Sequence, residues 1–216
     1  MFIGHFALGF AAKRAAPRLS LATLFAAAQL ADLIWPFLLA AGVEQVRIVP
    51  GITAFTPFDF VSYPYSHSLL ALAIWGLLFG AMCAVVVRDR RVMVVVAALV
   101  VSHWVLDWVT HRPDLPLYPG SLKVGLGLWN SVPATLAVES AMFAVGVWLY
   151  VRATRARDVI GRRAFAAFVG FLFAAYGSSL GPPPPSITAL VVTAIAGAAV
   201  IILWAWWFDR HRTPIA

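Results

Sequence analysis

The chain has 216 residues, 62% of them hydrophobic and 12% charged, with a mean hydropathy of +0.88 and a formal net charge of +7. Soluble domains carry about 25% charged residues, so a water-soluble globule is nearly excluded: a core of this size cannot hide so much apolar surface from water. The single cysteine, Cys83, excludes an intramolecular disulfide and any cysteine-based zinc site.

In chain order, the first apolar stretch, Met1 to Ala12, is too short to cross a bilayer and is expected to be a short N-terminal helix. The bases Lys13, Arg14 and Arg18 follow it, whereas a secretory signal places its charges first, so no cleaved signal is expected. In the alternative these bases form an n-region, with cleavage near Ala28 or Ala31. Six apolar runs of about 20 residues then follow, at 19–42, 66–87, 92–111, 131–151, 164–180 and 186–208. The expected architecture is an all-α, polytopic helical membrane protein. It forms a single transmembrane domain over 1–216, with the chemistry in 1–140 and accessory helices in 141–216.

Of the 16 Lys and Arg, 13 lie in segments 13–18, 88–91, 152–163 and 209–212, and the alternate segments hold Arg47, Arg112 and Lys123. That asymmetry puts the basic loops and the C-terminus in the cytoplasm by the positive-inside rule. The loops 43–65 and 112–130 and the turn Gly181-Pro182-Pro183-Pro184-Pro185 then face outward. The bases are expected to orient the spans, with no role for nucleic acid. Asn130 reads as the cap of the fourth span, and Trp204, Trp206 and Trp207 as an inner interfacial belt.

Acids and histidines inside spans are costly, so each is a functional candidate. The third span carries His103, Asp107 and His111 at i, i+4 and i+8, one stripe of a helix with about 6 Å of rise per step. Gln29 and Asp32 lie near the middle of the first span, His67 opens the second, Glu139 is two turns into the fourth, and His5 is in the N-terminal helix. Helical rise places His67 and His111 at the outer rim, Asp107 about 6 Å deep, and His103 and Glu139 about 12 Å deep. Asp32, Asp107 and Glu139 have no Lys or Arg within the spans, so they must be protonated, paired with charged histidine, or bound to a metal cation. Histidine and carboxylate without cysteine suit zinc first, with manganese or iron as alternatives. Interhelical hydrogen bonding is the competing explanation for any one of these residues. Asp59 and Asp114 fall in outer loops, either solvated or reaching down to the site.

The order of these motifs resembles the membrane-bound metal-dependent hydrolases of the LexA-regulated inner-membrane type. The resemblance rests on Gly4-His5, on Ala31-Asp32-Leu33-Ile34 in part, on Ser66-His67-Ser68-Leu69-Leu70, and on Ser102-His103 with Asp107, over about the first 115 residues. Ile34 and Ser62 stand where that family has a second Asp and a first His, so two ligands of its pattern are missing, and His111, Asp114, Asp59 or Glu139 are the candidates to replace them. The distant similarity of that family to zinc-dependent phospholipase C implies phosphoester hydrolysis.

The expected function is therefore a membrane-embedded, metal-dependent hydrolase of a bacterial inner membrane, acting from the periplasmic side on a lipid or lipid-linked phosphoester. His5, Asp32, His67, His103 and Asp107 would hold one or two divalent ions, and His111 or Glu139 would act as general base or extra ligand. The alternatives are a proton or metal-ion transporter using the same residues, and a scaffold carrying a relict site.

Overall fold

The computed structural model describes residues 1–215 and is all-α. The short α1 (Ile3–Ala12) is followed by α2 (Leu21–Ala28) and α3 (Leu30–Ala40), then a hairpin of β1 (Gln45–Ile48) and β2 (Phe58–Ser62). One turn, α4 (Pro64–His67), leads into the long helices α5 (Leu69–Val87) and α6 (Arg90–Thr110). Two-residue strands β3 (Leu115–Pro116) and β4 (Lys123–Val124) precede α7 (Val132–Ala153). The remainder is β5 (Thr154–Ala156), α8 (Val159–Gly177), α9 (Ile187–Asp209) and β6 (Arg212–Pro214). Five helices are long and apolar enough to cross a membrane, and the bent pair α2–α3 brings the number to six if it is counted as one broken span. The chain thus has the form of a multi-pass membrane protein.

Side-chain caps explain where the long helices start. Ser68, Asp89, Ser131, Asp158 and Ser186 each accept a backbone N–H from the first turn of α5, α6, α7, α8 and α9. The cap of α7 is therefore Ser131 and not Asn130, which sits in the preceding 3-10 turn. The start of α8 at Val159 also takes Arg162 and Arg163, expected in a loop, into the helix.

The first span differs most from expectation. A single helix over 19–42 is replaced by two, bent by 60° at Gln29. The backbone of Gln29 leaves the helical region there, at φ −107° and ψ 14°, and Asp32 falls in the first turn of α3.

Close helix contacts are made where glycine removes the side chain. Gly76 and Gly80, one turn apart on α5, face the backbone of Ala97 and Met93 on α6, and an added Cβ at Gly80 would stand 2.6 Å from the Met93 carbonyl oxygen. This is the small-xxx-small packing of apolar helices. Gly146 on α7 receives α1 in the same way, with an added Cβ 2.4 Å from the Ala7 carbonyl oxygen. Thus α1 does not cross the bundle; it is tucked inside it, which is how His5 becomes buried.

Buried apolar residues form two clusters. One joins α2 and α3 to α5 and α6 around Leu24, Trp35, Leu72 and Val96. The other joins α1 and α2 to α7, α8 and α9 around Phe10, Phe25, Tyr150 and Phe168. Trp204 packs inward, its ring 5.5 Å from that of Phe168, so of the expected belt only Trp206 and Trp207 face outward.

The basic segments gather at one end of the bundle. Arg18 lies 3.7 Å from Asp89, β5 pairs with β6, and Lys13 donates to Asp209 at 2.7 Å. Lys13 and Asp209 are both buried, and Asp209 also accepts from the Leu21 N–H and the Tyr150 hydroxyl. Lys13 is thus part of an internal ion pair, beyond the anchoring role its position in the sequence suggests.

Candidate metal centre

Four histidines converge on one carboxylate. Asp107 on α6 has its Oδ1 3.1 Å from Nε2 of His5, and its Oδ2 3.1 Å from Nε2 of His103, 3.8 Å from that of His111 and 4.0 Å from that of His67. Asp32 closes the group, with Oδ1 3.3 Å from His67 Nε2 and Oδ2 3.9 Å from His103 Nε2. Two triads, His5–His103–Asp107 and Asp32–His67–His103, each hold their donor atoms within 4.8 Å of one another. The five expected ligands therefore meet, and His111 meets them. The His5 and His103 rings stack with centroids 3.8 Å apart, joining the α1 and α6 sides of the bundle.

The far nitrogens of three rings are fixed by partners outside the cluster. His103 Nδ1 lies 2.8 Å from the Ala28 carbonyl oxygen, which only accepts, so Nδ1 carries the proton. Ser66 Oγ donates to Glu44 Oε2 at 2.5 Å, leaving its lone pair to accept from His67 Nδ1 at 2.7 Å. His111 Nδ1 donates to Asp114 Oδ1 at 2.9 Å. With the ring neutral, Nε2 then keeps its lone pair toward the carboxylates, the second-shell arrangement of a metal-ligating histidine; with the ring charged, Nε2 would instead donate to them as an ion pair. A neutral Nε2 facing a carboxylate oxygen at 3.1 Å sets acceptor against acceptor. His103 Nε2 indeed has no hydrogen-bond partner although it is buried.

The Met1 nitrogen lies 2.5 Å from Asp107 Oδ1, on the side of the carboxylate away from His103 and His67. Glu139 on α7 sits beside the cluster, where its Oε2 accepts the N–H groups of Phe2 and Gly4 and its Oε1 is unpartnered. The geometry thus gives Glu139 a hold on α1 as well as a free oxygen.

Other expectations change with the loops. His67 ends α4 and His111 caps α6, and both are only 3% exposed, because Phe60, Tyr63 and Trp129 from the loop segments pack over them. Asp114 reaches the site through His111, whereas Asp59 stays outside it, paired with Arg112. Burial and then the Asp114 charge raise the Tyr63 hydroxyl well above its ordinary value, so it stays protonated and donates to Asp114 at 3.2 Å. Gln29 Oε1 is buried without a partner at the helix break. Ile34 is half-buried on α3 and Ser62 ends β2, so neither family position contributes a ligand.

Sequence reading does not find Glu44, Ser66 or Tyr63. Glu44 has no signal that separates it from a solvated loop acid, and Ser66 is legible only as the neighbour of His67.

A cavity of about 650 Å³ opens from this centre. Asp32, His67, Asp107, His111 and Glu139 line one end, and Asp32 keeps 40% of its side-chain surface accessible. Comparison with protein families, curated proteins and solved structures finds no match to this chain.

Proposed function

We propose that the protein is a membrane-embedded, metal-dependent hydrolase that acts on a lipid or lipid-linked phosphoester. The observation that carries this reading is the convergence of buried Nε2 atoms on the oxygens of Asp107 and Asp32, with two triads of donor atoms each within 4.8 Å, a grouping that a shared cation would satisfy. His5, Asp32, His67, His103 and Asp107 fit a divalent ion of the zinc, manganese or iron type, with zinc first. Such an ion, when bound, lowers the pKa of its water toward neutrality and polarises the scissile phosphoryl group. His111, held by Asp114 at Nδ1, or Glu139 through its free Oε1 takes the proton from the attacking water.

The likeness of the motif order to the inner-membrane hydrolases supports a phosphoester substrate and a bacterial inner membrane. The gathering of the basic segments at the end away from the cluster supports a cytoplasmic C-terminus and a centre that faces the periplasm. Metal analysis of purified protein tests the reading: a divalent ion is expected in the intact protein and lost in His103→Ala and Asp107→Asn. A metal content at background level in the intact protein refutes it.

Proton or metal-ion transport is the second reading, favoured by the 60° break at Gln29 beside Asp32, since transporters place broken helices at their sites. Liposome counterflow together with headgroup release from labelled lipid separates the two.

A further inference from the structure

The metal centre occupies only one end of the cavity. Away from Asp32 and Glu139 the space is bounded by α8 and α9, through Phe171, Ala175, Ala194, Gly197 and Ile201, with Ser178, Ser179, Thr193 and the Gly181–Pro184 turn also lining it. The five helix residues are apolar and mostly small, and they lie on spanning helices whose outer faces are exposed. On α9, Val192, Val200 and Leu203 are among the exposed side chains. Gly197 stands at a true opening, because a Cβ added there meets no atom within 4 Å. A compartment with ionisable groups along one wall and mostly apolar side chains of two spanning helices along another matches an amphiphile, and its size is within the roughly 300–1,000 Å³ of ligand pockets.

We infer that the slot between α8 and α9 holds one hydrocarbon chain of a phosphate-bearing lipid whose head lies at the His/Asp centre. The inference rests on the hydrolase reading for the head and on the cavity for the chain. The substrate reaches the centre sideways from the bilayer. Small residues at Ala175, Ala194 and Gly197 keep the slot open, and the chemistry at the far end is withdrawn from the membrane in which the lipid was dissolved.

A second groove provides the control. Between α7 and α8, Gly170 lies in a space of about 390 Å³ with Phe143, Val147 and Phe173, and a Cβ added at Gly170 also meets nothing within 4 Å. None of the acids or histidines of the centre lines that groove.

The test uses the full chain with zinc in phosphatidylcholine vesicles, doped with a non-hydrolysable phosphonate analogue of phosphatidic acid that carries a diazirine at the end of one chain. Cross-linked peptides are mapped after irradiation. Labels are expected to concentrate on the slot walls of α8 and α9. Gly197→Trp should reduce them about tenfold, the scale of excluding some two methylenes from a buried site, with Gly197→Leu intermediate and Gly170→Trp without effect. A diacylglycerol with the same chain and no phosphate should label the slot far more weakly. Equal labelling of the slot and the outward face of α5, an unaltered pattern in Gly197→Trp, or equal labelling by the diacylglycerol overturns the inference. Zinc content measured on the same samples reports on the hydrolase reading separately: slot labelling that persists in protein without metal would overturn that reading and leave the chain site standing.

Discussion

Glu44→Gln should damage the metal centre while leaving the fold intact. Glu44 Oε1 accepts the N–H groups of Tyr65 and Ser66 at 2.8 and 2.9 Å, and its Oε2 accepts the Ser66 hydroxyl proton. A glutamine in this position keeps its carbonyl oxygen on the two backbone donors, which leaves its amide nitrogen facing Ser66 Oγ. The amide can only donate, so the Ser66 proton must turn to its one other neighbour, His67 Nδ1. Retaining the original direction would strand a buried hydroxyl proton, at a cost of about 1–3 kcal/mol. The His67 proton then moves to Nε2, the atom that faces Asp32, and the ring can no longer ligate. Second-shell substitutions of this kind lower metal affinity by about 10–100-fold, or about 1.4–2.8 kcal/mol. Competition with a chromophoric chelator measures the affinity, and nitrogen-15 spectra of labelled histidine report the tautomer. Ser66→Ala should cause a comparable loss, and adding Glu44→Gln to it should cause little more, because the relay is already cut. An affinity within twofold of the intact protein, or full additivity of the two substitutions, refutes the relay.

Three further outcomes follow from the packing and the charges. Lys13→Met strands Asp209 and is expected to cost about 3–5 kcal/mol, whereas Lys13→Met with Asp209→Leu should recover most of the loss; thermal unfolding in detergent checks both. Gly146→Leu drives a side chain into the Ala7 backbone, so it should push α1 and His5 away and lower metal content with the six spans still formed, which metal analysis and circular dichroism read together. Asp158 is held below the ordinary carboxylate range by the Gly161 N–H and by His211, so its contribution to stability is present above the unfolded carboxylate pKa of 3.8 and is lost as pH falls through the lower folded value. Carbon-13 titration should show the Asp158 midpoint rising in His211→Ala, and an unmoved midpoint would remove His211 from that account.

Much of the site was legible because it follows from helix periodicity. His103 and Asp107 one turn apart had to share a face, and the absence of Lys and Arg from the spans marked the buried acids as needing partners. The loops were less legible. Glu44 lies 22 residues from Ser66, and no periodic pattern links a hairpin acid to the serine it orients. The burial of His67 and His111 was illegible for a similar reason, since counting helical rise ignores the aromatic residues that the loops fold over a helix end.

The sequence by itself determined the solvent, the approximate number of spans and the clustering of bases at one end, because hydropathy and charge act locally along the chain and are read one segment at a time. Only the tertiary structure decided that α1 lies inside the bundle, that the first span breaks at Gln29, that Lys13 finds Asp209, and that four Nε2 atoms meet around Asp107. These depend on which segments pack together, and the His/Asp cluster exists only because side chains from α1, α3, α4, α6 and the end of α6 are brought within a few ångströms at once.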